Sequence, residues 1–225
     1  MTSGNIETAT CTTGTSPTGT CLTATCPTGT VRTLVKWDSP LAEAQGIACG
    51  AAALLRDKRT MARHIGFAVP NRTWAGQLAQ ACKVMGVAAE ICEGRLDAEG
   101  NRAAIFDFRL GNGAFDWLFV VGCTEGLMPT AAAIGEDPAS REALAIQREA
   151  FAQLTSGEHQ NLVLSYFCQA DKALADHIRL PYRRTATRGG VVSALCAPSR
   201  FIGEMGAQRP STIGGQRFLR DADLN

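Results

Sequence analysis

Nine cysteines and three histidines are the first residues in this sequence whose types could do chemistry. A zinc site needs ligands in close pairs, so that a short loop can wrap the ion. The cysteines are scattered without a C-x-x-C pair, and His64, His159 and His177 stand apart from them. The spacing therefore predicts no metal site and favours reduced thiols, several of them buried as small apolar side chains.

Phosphate chemistry of the P-loop class requires G-x-x-x-x-G-K-[ST], in which backbone N–H groups and a lysine surround the phosphates. None of Lys36, Lys58, Lys83 and Lys172 follows a glycine, and no apolar strand ends in Asp-Glu to hold Mg²⁺. A G-x-S-x-G elbow is also absent. The dinucleotide-binding fingerprint G-x-G-x-x-G is absent too, because the run Gly111-Asn112-Gly113 matches only its first three positions. This run predicts a tight turn. The sequence therefore offers no catalytic residue for self-contained hydrolysis.

Composition limits the possible partners. The 22 Lys plus Arg nearly balance 21 Asp plus Glu, so the basic surplus typical of proteins that track nucleic acid is missing, although a local patch fits within a neutral total. No stretch approaches the roughly 20 apolar residues of a membrane span. Residues 1–30 lack the features of a signal peptide. These observations predict a cytoplasmic protein with no membrane partner.

Three regions follow one another along the chain. Residues 1–30 repeat a Thr/Gly-rich unit with almost no bulky apolar side chain, which predicts a disordered tail. Residues 31–168 alternate apolar strands with amphipathic helices, typical of βαβ units. Residues 169–225 carry only short apolar patches, so we expect a loosely ordered extension that depends on a partner surface. The predicted fold is α/β, an open and mostly parallel sheet flanked by helices.

Local signals place the elements of this sheet. Ser39 followed by Pro40 predicts a helix start, and Pro70-Asn71 predicts the end of a short buried strand. The predicted strands are 31–37, 65–69, 89–92, 104–108, 117–122 and 162–167, and the predicted helices are 41–59, 73–85 and 139–154.

The segment FDWLFVVGCTEGLMPT, residues 115–130, resembles motif V of UvrD-like helicases. That motif has a turn ending in Phe-Asp, an apolar strand, and then G-x-x-E-G-x-x-P. Gly122, Glu125, Gly126 and Pro129 match its last part at the same spacing. A strand followed by a Gly/Pro-bounded loop is common in α/β proteins, whereas this combination is specific.

Further stretches resemble the same family in order and spacing. They are the opening helix at 39–57, the next strand and helix at 66–91, motif VI at 147–166, and a Pro-Ser-Arg-Phe segment at 198–205. Together they resemble the C-terminal motor domain (2A) of UvrD/PcrA/Rep-type superfamily 1 helicases over about residues 31–205. The resemblance implies a RecA-like fold, the P-loop-NTPase-type half without a P-loop. It also implies ATP and Mg²⁺ as cofactors and 3′–5′ DNA unwinding as the activity. The biological process would be DNA repair, and a partner would supply the P-loop half.

Departures from the family pattern fall on positions that face the nucleotide. Ala114 stands where the family has a ribose-contacting Glu, and Ser156 stands where it has an arginine finger, whose loss costs about a thousandfold in rate. Arg148, Gly113 and Thr155 remain as residual nucleotide-binding positions by resemblance. We therefore expect no ATPase activity and no bound cofactor for this chain alone.

DNA binding by related domains uses aromatic stacking and arginine at loops beyond the strand ends. Phe108, Arg109, Trp74, Arg183 and Arg184 are the candidates here, while Trp117 opens an apolar strand and is expected in the core. A solvated loop is an equal interpretation of the arginines. Three hypotheses stay open: a domain that docks to DNA, including single-stranded DNA, one half of a split helicase, or a non-catalytic interaction domain.

Overall fold

Seven parallel strands form the central sheet of the protein, which a computed structural model describes over residues 31–111, 113–156, 161–188 and 190–223. The strands of the chain are β1 (Val31–Trp37), β2 (Ile65–Val69), β3 (Ala89–Ile91), β4 (Ala103–Asp107), β5 (Trp117–Val120), β6 (Asn161–Phe167), β7 (Gln169–Asp171), β8 (Tyr182–Arg188), β9 (Val191–Cys196) and β10 (Thr212–Gly214). The central order is β10-β1-β6-β5-β2-β4-β3, and a small antiparallel sheet has the order β7-β9-β8. The predicted α/β fold is confirmed, and it is consistent with a RecA-like open sheet. The tail predicted for residues 1–30 lies outside the described residues.

Helices cover both faces of the central sheet. They are α1 (Pro40–Arg56), α2 (Arg72–Val84), α3 (Pro138–Ser156), α4 (Lys172–His177), α5 (Arg200–Glu204) and α6 (Gly215–Asp223). The apolar residues of α1, α2 and α6 share one core with the sheet face that carries Phe67 and Val163. Those of α3 and α5 share the other core with the face that carries Leu118 and Leu164. In the described part of the chain, no helix combines the length and apolarity needed to cross a membrane.

Side-chain caps begin the two helices that follow β1 and β2. The Ser39 hydroxyl accepts a hydrogen bond from the Ala42 amide over 3.1 Å, with Pro40 as the first helical residue, as the sequence predicts. The Asn71 side chain accepts one from the Trp74 amide over 3.1 Å. Such caps satisfy N–H groups that have no partner within the helix. They fix where the chain leaves the carboxyl edge of the sheet.

The C-terminal region differs from the loosely ordered extension expected for residues 169–225. β10 pairs in parallel with β1 and so belongs to the central sheet. α6 packs against α1, and its buried Phe218 lies edge-on to Trp37 with ring centroids 6.0 Å apart. The apolar patches here are too short to build a core of their own, but they complete the core that residues 31–168 begin. The central domain therefore extends past residue 168.

Substituting Phe218→Ala tests whether this region unfolds with the rest of the domain. Loss of a buried aromatic ring from an existing core lowers the free energy of unfolding by about 3 kcal/mol, measured by urea denaturation. Val191→Ala is the matched control, because Val191 is exposed and its truncation changes stability by less than about 0.5 kcal/mol. Equal effects of the two substitutions would show that α6 contributes nothing to the cooperative unit.

Candidate functional site

The part of the motif-V segment that follows β5, residues 122–130, is called the motif loop. It lies at the carboxyl edge of the central sheet, where ligands bind in open α/β folds. Gly122 begins the loop with φ +76°. A Cβ atom there would approach the Pro70 ring to 3.0 Å, so both backbone conformation and space favour glycine. The Gly122 amide donates a 3.0 Å hydrogen bond to the Glu43 carboxylate. The loop is thereby tied to α1.

Glu43 is a fully buried carboxyl group beneath this loop. Its Oε1 atom accepts the Gly122 amide and, over 2.5 Å, the Ser165 hydroxyl, which in turn accepts the Trp37 Nε1–H over 3.1 Å. Among the described residues, its Oε2 atom is the buried side-chain oxygen without a hydrogen-bond partner. Burial raises the pKa of Glu43 from 4.5 to about 7, against the opposing effect of the two hydrogen bonds. This carboxyl therefore changes charge near neutral pH.

Sequence reasoning missed Glu43, although a signal for it exists. Glu43 precedes Ile47 by four residues, so both lie on the apolar face of α1. An acidic residue at a core-facing helical position indicates a buried partner. The partner, Ser165, lies far away in the sequence and faces α1 from the middle of an otherwise apolar strand.

Glu125 joins two segments that the resemblance identified separately. Its carboxylate accepts the Arg200 amide over 2.9 Å and the Arg200 Nε–H over 2.7 Å, and it also contacts the second guanidinium nitrogen. Arg200 belongs to the Pro-Ser-Arg-Phe segment and begins α5. Both guanidinium contacts go to the same carboxylate oxygen, Oε1, while Oε2 accepts the Arg200 amide, and such charge-assisted hydrogen bonds are stronger than neutral ones. Two motifs far apart in the sequence thus form one unit.

The remaining motif positions hold the loop against its other neighbours. Gly126 has φ +92°, and a Cβ atom there would lie 2.2 Å from Pro181 Cδ. Pro129 follows a cis peptide bond. The Thr130 amide donates to the Gln147 side chain over 2.9 Å, which connects the loop to α3. The loop is therefore a structural junction between α1, α3, α5 and the small sheet.

The start of the motif-V segment anchors the opposite edge of the sheet. Phe115 is buried and stacks on Phe106 at 5.5 Å. The Asp116 carboxylate lies 2.9 Å from His64 Nδ1 and accepts the Thr60 hydroxyl over 3.3 Å. This pair joins the amino ends of β2 and β5, and sequence reasoning did not anticipate the role of His64.

The residual nucleotide-binding positions have structural partners of their own. Arg148, on α3, donates from Nε and from a terminal nitrogen to Glu204 over 2.8 and 3.2 Å. Its pKa is raised, first by this hydrogen bonding. The buried Thr155 hydroxyl donates to the Phe151 carbonyl oxygen over 3.0 Å. At Gly113 a Cβ atom would lie 2.5 Å from the Phe115 ring, so glycine is needed there for packing.

The burial of Phe108 and Trp74 contradicts the prediction that their rings contact DNA. Phe108 is 0 % exposed, and Trp74 is 4 % exposed with its ring 6.2 Å from that of Phe167. Neither ring has a free face for a base. Trp117, which was expected in the core, is partly buried, stacks on Phe119 at 6.2 Å and packs against the core from its edge.

The predicted arginines remain on the surface, in two different settings. Arg109 is held by Asp107, with 2.8 Å between Nε and Oδ1, so its charge is already paired. Arg183 and Arg184 are exposed on β8, at an irregularity in its pairing with β9. The structure thus separates Arg109, beside β4, from the arginines of the small sheet.

Two small cavities adjoin Asn71 at the carboxyl edge. One, of about 260 Å³, lies between the ends of β2, β3 and β4 and has Arg72, Glu93 and Asp107 in its lining. The other, of about 230 Å³, lies between the first turn of α2 and the motif loop at Leu127. Within the described residues, no three potential metal-ligating side chains come together. This edge therefore offers small pockets beside a rigid loop.

Comparison with known proteins adds no assignment. No protein-family model matches this chain, and no curated protein is significantly similar to it. The helicase resemblance therefore rests on the residues of the chain alone.

The buried carboxyl predicts a pH-dependent stability. Because the pKa of Glu43 is higher in the folded protein, its contribution is fully present below pH 4.5 and is lost as the pH rises through about 7. Glu43→Gln keeps an oxygen acceptor but never ionises. The difference in unfolding free energy between the two proteins should change by roughly 3 kcal/mol across this window. Urea denaturation at several pH values measures it.

Glu142→Gln, on the exposed face of α3, is the control for this experiment and should leave the pH profile unchanged. Parallel profiles for wild type and Glu43→Gln would contradict the assignment of a raised pKa to Glu43.

Substitution of glycine by alanine should have opposite effects on stability at Gly126 and at Gly76. Gly126→Ala puts a methyl group against Pro181 at a residue with positive φ, and should destabilise the protein by about 1–3 kcal/mol. Gly76→Ala, at an exposed position within α2 with open space around it, should stabilise it by about 0.5–1 kcal/mol. Thermal and urea unfolding of both variants measures the difference. Equal and small effects would refute the rigid junction at Gly126.

Proposed function

We propose that the chain is the C-terminal motor domain of a UvrD-like DNA helicase that has no ATPase or unwinding activity alone and binds single-stranded DNA. The observation that carries the proposal is the Glu125–Arg200 contact. It links the motif-V loop to the Pro-Ser-Arg-Phe segment at the carboxyl edge of a parallel sheet. Two matches that arose by chance would have no reason to contact each other.

The absence of ATPase activity follows from the groups at the nucleotide-facing positions. Ala114 and Ser156 are exposed and carry neither the carboxylate nor the guanidinium of the family pattern. Arg148 is engaged by Glu204. ATP and Mg²⁺ would bind only when a partner brings the P-loop half. We propose that this assembly would form in the cytoplasm.

The DNA contact is proposed at the small antiparallel sheet. Arg183 and Arg184 are exposed on β8. No acidic residue occurs between Asp176 and Glu204, while Arg179 and Arg188 add to the positive charge of this segment. Such a local excess attracts the phosphate backbone although the whole chain is nearly neutral.

A second candidate function, a non-catalytic interaction domain, is favoured by the groove between α1 and α2. This groove has a volume of about 770 Å³. Leu41 and Val84 in its lining are 66 % and 70 % exposed. Exposed apolar surface of this kind is typical of sites for protein partners. Such a partner would be the P-loop-bearing half or another protein.

Binding assays with the purified full chain test the main proposal. Labelled single-stranded DNA should bind with an affinity that falls as salt rises, and a fluorescent ATP analogue should not bind. The double variant Arg183→Ala/Arg184→Ala should weaken DNA binding on the order of tenfold, which corresponds to about 1.4 kcal/mol. It should also reduce the salt slope by roughly 1.4, because two phosphate contacts are lost.

Arg102→Ala/Arg141→Ala is the matched control, since it removes the same charge from the linker before β4 and from α3. DNA-stimulated ATP hydrolysis by the isolated chain would overturn the proposed inactivity. Equal loss of affinity in both double variants would remove the DNA contact from β8. No DNA binding by the wild type would leave the interaction domain as the better hypothesis.

A further inference from the structure

Two cysteines face each other at the end of the small antiparallel sheet. β7 pairs with β9 in the register Gln169↔Leu195. The next position places Cys168 opposite Cys196. The Cys196 amide donates to the Cys168 carbonyl oxygen over 2.9 Å, so the pairing extends to these two residues.

The register places the two cysteines opposite each other, which is the arrangement that a cross-strand disulfide requires. Directly opposed residues of antiparallel strands point to the same face of the sheet, and hydrogen-bonded pairs have Cα atoms about 5.5 Å apart. Disulfides span Cα separations of about 4.4–6.8 Å. Burial, and secondarily the neighbouring Cys168, raise the pKa of the Cys196 thiol to about 11.

Cys168 and Cys196 are two of the six cysteines in the described part of the chain. The remaining four lie on separate elements: Cys49 on α1, Cys82 on α2, Cys92 after β3 and Cys123 after β5. Burial also raises the pKa of the Cys82 and Cys123 thiols, which lowers their reactivity. Burial raises the pKa of Cys168 and Cys196 as well, so it is their facing positions that direct disulfide formation within this set to them.

We propose that Cys168 and Cys196 are a site of reversible oxidation that closes to a cross-strand disulfide. Cys168 is half-buried and Cys196 is buried, so a peroxide reaches Cys168 first. The Cys168 thiolate attacks one peroxide oxygen, the O–O bond breaks, and hydroxide leaves to become water, which gives a sulfenic acid. The Cys196 sulfur then forms the S–S bond and displaces the sulfenic oxygen as a second water. Two thiols lose two electrons and two protons, and one hydrogen peroxide is reduced to two waters.

The disulfide would close the junction between the two sheets. Cys168 directly follows β6, and its amide donates to the Trp37 carbonyl oxygen at the end of β1 over 2.9 Å. An S–S bond to Cys196 would fasten β9 to this point. It would also enclose residues 169–195 in a covalent loop, which restricts the unfolded chain and raises stability.

Hydrogen peroxide treatment of the full chain, followed by alkylation of the remaining thiols, digestion and mass spectrometry, tests the site. The expected product is a peptide pair linked through Cys168 and Cys196 that dithiothreitol separates. The rate should rise about tenfold per pH unit, because burial raises the pKa of Cys168 and only the thiolate reacts. The oxidised protein should melt several degrees higher than the reduced one.

Cys168→Ser and Cys196→Ser should each abolish the linked peptide and the rise in melting temperature, whereas the matched control Cys82→Ser should keep both. The wild-type peptide map gives a result even if a variant fails to fold. Alkylation of both cysteines after peroxide treatment, or a linkage of either to a different cysteine, would overturn the proposal.

Discussion

The hydrogen bonds of the buried Glu43 carboxyl group connect α1, β6 and the start of the motif loop at the carboxyl edge of the sheet. Moving a carboxyl group out of water is unfavourable, and one of its oxygens stays without a partner among the described residues. The group is tolerated because it satisfies a backbone amide at Gly122 and a hydroxyl at Ser165 that would otherwise be buried alone. One side chain of α1 thus fixes β6 and the exit of the chain from β5. It acts together with backbone hydrogen bonds on either side of Gly122, from the Val121 amide to Ala68 and from the Cys123 amide to Ser165.

From this fixed point the loop reaches the C-terminal region. Glu125 pairs with Arg200 at the start of α5, and Gly126 lies against Pro181, just before β8. The small sheet and α5 are therefore positioned by the loop, while β10 and α6 are positioned by β1 and α1. The C-terminal segments fold because they meet surfaces that the first part of the chain has already formed.

Local patterns predicted the elements well and the contacts between them poorly. The Ser39 cap, the strand at 65–69 and the helix near 73–85 follow from neighbouring residues, so periodicity and capping signals were sufficient. β10 has only three residues, and nothing in its own sequence shows that it pairs with β1.

The aromatic candidates failed for the same reason. The position of Trp74 at a helix start is compatible with exposure, and only the distant Phe167 reveals that its ring is stacked in the core. Burial of an individual ring depends on tertiary contacts that are remote in the sequence. Arg183 and Arg184 kept their predicted exposure because a charged guanidinium is costly to remove from water.

The positions that match motif V and the positions that depart from the family pattern differ in what they do for the fold. Gly122, Glu125 and Gly126 each serve the fold itself, through a positive φ, a close approach or the ion pair between Glu125 and Arg200. Ala114 and Ser156 are exposed, and no contact of the fold requires a carboxylate or a guanidinium there. Selection for stability alone would keep the first group and leave the second free to change. These two glycines and the glutamate therefore have a role in the fold whatever the activity of the chain, and their presence alone is no argument for ATP turnover.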